Sequence, residues 1–145
     1  MGCSKIRLMN VKELAKAMQE IDFCMMTTID GRGTFHSRPM SNNKQVEYDG
    51  SSYFFSMRDT QKIRDIDSSP RTSLTYQGQK GLFIQIYGDA MIIHDKQKME
   101  DFWLEELNAW FKNGLNTEGL VMIHVKGKWV EYWQKENNEI IDLTK

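Results

Sequence analysis

Two short segments carry the side chains best suited to hold an anion. The first runs from Tyr53 to Lys62. A strand ending near Met57 and a helix starting near Thr60 put unpaired backbone N–H groups and a partial positive charge at the Thr60 end. Thr60 adds a hydroxyl, and Arg58 and Lys62 add full positive charges. This set can hold a phosphate monoester. Equally, Thr60 can simply cap a surface helix whose cations are solvated.

The second segment is His36-Ser37-Arg38-Pro39-Met40. Strand alternation puts His36, Arg38 and Met40 on one face. Pro39 cannot donate to a ladder, so it predicts an edge strand or a bulge. An arginine sharing a face with apolar residues needs an anion, which a bound phosphate or a nearby aspartate would supply.

Other chemistry is poorly represented. His36, His94 and His124 are scattered, so no metal site is expected. No GxSxG, GxGxxG or P-loop pattern occurs. Cys3 and Cys24 form no CxxC pair and read as two unpaired thiols of a reducing cytoplasm.

These segments need a scaffold. With 145 residues the chain is one expected domain, 1–145, able to bury a core without staples. It is 40% hydrophobic and 27% charged, which excludes a disordered chain. A net charge of −1 argues against a nucleic-acid partner. No apolar run reaches the ~18 residues of a membrane span, and no signal peptide or acylation pattern is expected from the first six residues.

Asn10 and Glu13 predict a capped helix over 10–21. Strands are expected at Phe23–Ile29, Thr34–Met40, Gln45–Tyr48, Tyr53–Met57, Thr72–Gln77 and Leu82–His94. Gly88 suggests a bulge or bend in the last of these. A short helix is expected at about 61–68 and a third near 96–108, capped by Asp95. Val121–Val125 and Lys128–Trp133 complete the set, joined at Lys126-Gly127. About eight hairpin-linked strands and three helices predict an α+β fold, a mainly antiparallel barrel with flanking helices.

In order, Arg38-Pro39-Met40, Tyr53-Phe54-Phe55-Ser56, Thr60-Gln61-Lys62, Pro70 to Leu74, Gly88 and Glu131-Tyr132-Trp133-Gln134 resemble the pyridoxamine 5′-phosphate oxidase-like FMN-binding split barrels. Within them the chain is most similar to the general stress protein 26 group, over about residues 11–142. The resemblance implies a split β-barrel, an FMN cofactor and a homodimer. It puts Arg38, Pro39 and Met40 along the flavin, with Phe55 and Ser56 at the end of the next strand pair. Thr60, Gln61 and Lys62 fall on its phosphate segment, and Gln61 replaces a frequent arginine. It implies flavin contacts from Gln85 and, across the dimer, from Trp133.

Departures from the family concern substrate. An Arg-x-His-x-Arg pattern that would hold a phosphorylated vitamer is replaced by Glu139, Ile141 and Leu143, and Asn43 stands where a lysine is expected. Pyridoxamine 5′-phosphate oxidase activity is therefore not expected. Three readings remain: a flavin-dependent oxidoreductase of an unidentified small substrate in a stress response, a non-enzymatic FMN carrier or sensor, and a haem-binding split barrel with His36 or His124 as axial ligand. His36 is the sole acid–base candidate beside the flavin segments.

Overall fold

The computed structural model describes residues 8–44 and 47–145. Seven strands form one antiparallel sheet: β1 (Phe23–Ile29), β2 (Phe35–Ser41), β3 (Ser51–Met57), β4 (Arg71–Gln77), β5 (Leu82–Ile93), β6 (Leu120–Gln134) and β7 (Asn137–Asp142). Their order is β2-β1-β4-β5-β6-β3, with β7 also paired to β6. Three helices flank it: α1 (Val11–Met18), α2 (Gln61–Ser68) and α3 (Lys96–Glu100). Together they make an α+β split barrel.

The sheet's two faces differ. Cys24, Met26 and Thr28 of β1, with Leu74, Tyr76, Ile84, Ile86, Val130 and Tyr132 of later strands, point inward and are buried. The alternate residues face out, among them Phe23, Met25, Phe83 and Trp129, all substantially exposed. Both β2 and β3 are edges of the hydrogen-bonded order. The end of β2 and the middle of β3 line one common cavity, so the sheet curls until these edges face each other across a gap. Helix α1 lays Leu14, Ala15 and Met18 on the core, and α2 adds Ile63 and Ile66.

Local sequence explains much of this. The Asn10 side chain accepts from Glu13 N at 2.9 Å and starts α1, which ends at Met18 rather than running to 21. Asp30 Oδ1 accepts from the backbone N–H groups of Arg32 and Thr34, closing the β1–β2 turn with Gly33 at φ 83°. Gly88 marks a bulge: the β5–β6 register shifts between Tyr87 and Gly88. A Cβ on Gly88 would sit 2.2 Å from the Lys126 carbonyl oxygen, so only glycine fits there.

Three expectations need correction. The segments 121–125 and 128–133 are one continuous fifteen-residue strand, β6. Gly127 stays in register with Gly88 and the bulge takes up Lys128, so no turn is needed there. Strand β7, which polar Asn137-Asn138-Glu139 disguised, pairs with the second half of β6 after a turn with Lys135 at φ 55°. The third helix stops at Glu100, and a separate 3₁₀ turn covers Glu105–Ala109. Phe102 and Trp103 leave the helical path to pack on β3, Phe102 stacking on Tyr53 at 3.7 Å and Trp103 meeting Phe55 edge-on at 4.9 Å. The strand expected over 45–48 falls partly outside the described residues, as does Cys3; Tyr48 itself is not in a strand.

Candidate functional site

The strongest cluster of charge lies where α2 meets β1 and β2. Arg38 pairs with Met26 across the strands and so shares the inward face with His36 and Met40. As Pro39 implied, this is an edge strand. The Arg38 guanidinium donates from Nη1 to Thr28 Oγ1 at 2.7 Å and to the Met26 carbonyl at 3.3 Å. Its Nη2 lies 3.7 Å from Asp65 Oδ2.

Asp65 is fully buried. Its Oδ2 accepts from Thr28 Oγ1 and its Oδ1 from Gln61 Nε2, both at 2.7 Å. Composition and spacing gave no warning of Asp65 or Thr28. The one available signal is position: Asp65 lies two residues from Ile63 and one before Ile66, on the apolar side of a short helix.

Lys62 sits beside Arg38. Burial, and then the Arg38 charge, pull its amine below the usual lysine value of 10.5. Burial also lowers Arg38, against the opposing pull of Asp65. Among the described residues Lys62 forms no hydrogen bond or ion pair. Arg38 thus has a buried carboxylate beside it, whereas Lys62 has a second cation beside it.

Thr60 occupies the N-cap of α2 but makes no side-chain cap bond. Its hydroxyl donates instead to the Met57 carbonyl at 3.0 Å, as Ser56 does at 3.3 Å. The first turn of α2 also lacks an acidic residue. The helix therefore presents an uncompensated positive end beside Lys62. Gln61 turns its amide to Asp65, while Arg58 is exposed against Gly119.

The remaining residues divide between faces. Ser56 is buried inward, whereas Phe55 packs outward under Trp103. Gln85 donates to Ser73 Oγ at 3.1 Å on the outer face. Trp133 pairs with Phe83, also on the outer face. Within one chain, Gln85 and Trp133 therefore do not meet Arg38 and Lys62. Glu139 pairs with buried Tyr132, and Ile141 and Leu143 pack on the core.

Both histidines of interest are engaged. His36 Nε2 lies 2.9 Å from Asp30 Oδ2, and His124 Nε2 lies 2.9 Å from Ser51 Oγ. The His124 ring stacks on Tyr53, and burial lowers its pKa. Among the described residues no three His, Cys, Asp or Glu side chains gather as a metal site, and no helix is long and apolar enough to cross a membrane.

The fold is a split barrel, and it sets two cations beside a helix N-terminus, an arrangement able to hold an anion. The chain belongs to the pyridoxamine 5′-phosphate oxidase like family, whose pattern matches residues 9–145. No curated protein matches it in sequence. Among solved structures it is similar to a protein related to general stress protein 26 (pyridoxinephosphate oxidase family) from Clostridium acetobutylicum. The identity there is 14% and the TM-score 0.81, over 92% of this chain and 94% of that one. The general stress FMN/FAD binding protein of Xanthomonas citri is 21% identical, with a TM-score of 0.74 over 87% and 89%. A haem binding protein of Mycobacterium smegmatis is 9% identical, with a TM-score of 0.76 over 96% and 60%. At these identities the likeness is one of fold.

Proposed function

We propose that the chain binds FMN and acts as a flavin-dependent oxidoreductase on a small substrate. One observation carries this reading: Lys62 is a half-buried cation beside Arg38 with no counter-charge of its own. Burying a charge is costly unless it is paired, and a phosphate monoester would pair it. The family membership and the FMN/FAD-binding neighbour support the same ligand.

In this reading Arg38, Lys62, Thr60 and the N–H groups opening α2 hold the phosphate. Asp65 and Thr28 hold the guanidinium in place. Pro39, Met40, Phe55 and Ser56 line the ring system along the facing edges of β2 and β3. The flavin, when bound, supplies hydride transfer. Gln85 and Trp133, on the outer face, serve the site of a second copy, so the working unit is a homodimer. Likeness to general stress proteins supports a place in a stress response, and the free thiol of Cys24 supports the cytoplasm.

Pyridoxamine 5′-phosphate oxidase activity itself is not proposed. Ile141 and Leu143 pack on the core, and Glu139 brings negative charge where that substrate needs a cation. One observation favours a second reading, a non-enzymatic carrier or sensor of FMN: His36, the acid–base candidate, is tied to Asp30 in the hairpin turn. The engagement of His36 and His124 also supports flavin over haem.

Titration with FMN and riboflavin tests the phosphate assignment. A charge-assisted hydrogen bond contributes roughly 1.5–3 kcal/mol, so FMN should bind at least about tenfold tighter. Equal dissociation constants would remove the reading. NAD(P)H oxidation by the loaded protein separates enzyme from carrier.

A further inference from the structure

A cavity of about 270 Å³ lies in the gap between the edges of β2 and β3. Met40 and Phe55 form the side shared with the proposed flavin seat. The other walls come from the 3₁₀ turn that follows α3: Leu104, Leu107 and Trp110, with Glu106 at the rim. Breaking the third helix at Glu100 is what brings these residues over the gap.

The lining chemistry is selective. Trp110 is 75% exposed, and among the described residues its indole stacks on no other ring, whereas Trp103 and Trp129 each meet an aromatic neighbour. A large apolar surface at a cavity mouth gains most by covering another flat apolar group. Among the described residues the one cation in the lining, Lys44, is already used. The Lys44 amine is paired with Asp22 and also feels the Glu106 charge. Asn42 spends its amide on the Met18 and Ile21 carbonyls. Glu106 has no ion-pair partner among the described residues and adds negative charge at the entrance.

We propose that this cavity is a subsite for a planar, uncharged aromatic molecule, stacked against Trp110 and excluded when it carries a carboxylate or phosphate. Its volume lies just under the ~300–1,000 Å³ of drug-sized pockets, which limits the occupant to one or two fused rings. The role of such a molecule as substrate rests on the flavin reading above; its binding does not.

The test uses redox-inert probes, 2-naphthol, 2-naphthoate and 2-naphthyl phosphate, titrated calorimetrically into the protein with and without FMN. We expect 2-naphthol to bind at least tenfold more tightly than either anion, and Glu106→Gln to shrink that difference. Leu107→Trp, which fills the cavity, should abolish 2-naphthol binding and leave FMN affinity unchanged. Trp110→Ala, at an exposed position, should weaken 2-naphthol about tenfold without moving the melting temperature. Equal binding of all three probes, or 2-naphthol binding unaffected by both substitutions, overturns the proposal. So does loss of FMN affinity in Leu107→Trp, which would make the cavity the flavin's own seat. If the chain binds no FMN yet 2-naphthol follows the expected pattern, the subsite stands and the flavin reading fails.

Discussion

Arg38 and Asp65 approach to 3.7 Å across the junction of β2 and α2, and neither is satisfied by the other alone. Asp65 also takes hydrogen bonds from Thr28 and Gln61. Arg38 shares its surroundings with Lys62. The cluster holds two cations and one buried anion, a ratio that an external anion would balance.

Asp65→Asn should destabilise the free protein by about 3–5 kcal/mol, because it leaves the Arg38 guanidinium without its buried counter-charge. Added FMN should raise its melting temperature by more than it raises that of the unaltered protein, since the phosphate then supplies the missing charge. Melts with and without FMN measure both effects. An equal shift in the two proteins would show that the carboxylate and the ligand are uncoupled.

Lys62→Ala should weaken FMN by at least about tenfold, from the loss of one charge-assisted contact. The free protein should melt at the same temperature or higher, because the substitution removes a desolvated cation facing Arg38. A lower melting temperature with unchanged affinity per folded molecule would make Lys62 a structural residue.

The lowered Lys62 pKa also fixes a pH dependence. In the alkaline window below 10.5 the unfolded chain keeps this proton and the folded chain loses it. The free protein should therefore gain stability as pH rises through the depressed value, levelling off at 10.5. FMN affinity should fall over the same window, since the phosphate favours the charged amine. Lys62→Met provides the control: the parts of both slopes that belong to Lys62 should vanish, so the variant differs from the unaltered protein over this window.

Phe23, Met25, Phe83 and Trp129 are each more than two-fifths exposed on the outer face that carries Gln85 and Trp133. An apolar patch of this kind marks an interface. Light scattering should give twice the 17.0 kDa chain mass. Phe83→Glu should yield monomers with weakened FMN binding; a monomeric parent with full FMN occupancy would break the shared-site proposal.

Gly88→Ala should destabilise the fold by about 1–3 kcal/mol or more, as an added methyl meets unyielding backbone. Denaturant unfolding gives the value. The contact concerned, 2.2 Å from the Lys126 carbonyl oxygen, cannot be relieved by a rotamer change.

What the sequence disclosed follows from how local each signal is. Pro39 beside Arg38 pointed to an edge strand or a bulge, and Asn10 with Glu13 announced a helix start, because both act within a few residues. The strand running from Leu120 to Gln134 looked like two, since Lys126-Gly127 is the composition of a turn, and only pairing with Gly88 turns it into a bulge. Asp65 drew no notice in the sequence. Its importance arises from Thr28 and Arg38, which are distant in the chain and reach it only after β1, β2 and α2 are assembled. Gln85 and Trp133 were matched to the flavin by family pattern, and the sheet's two faces explain why one chain does not bring them to Arg38.

Among the described residues strand β3 is hydrogen-bonded to β6 alone, with Phe55 opposite Met122 and Ser56 opposite Val121. During synthesis, Arg38 and Lys62 leave the ribosome long before the residues that anchor Phe55 and Ser56 exist. A nascent chain halted at Gly119 carries the charge cluster but nothing to pin the opposite wall of the gap. Closing that wall joins segments far apart in sequence, the slow kind of step in folding. In the proposed reading, the cofactor is thus a late arrival: it meets a finished barrel, and its supply governs how much holoprotein accumulates rather than how fast the chain folds.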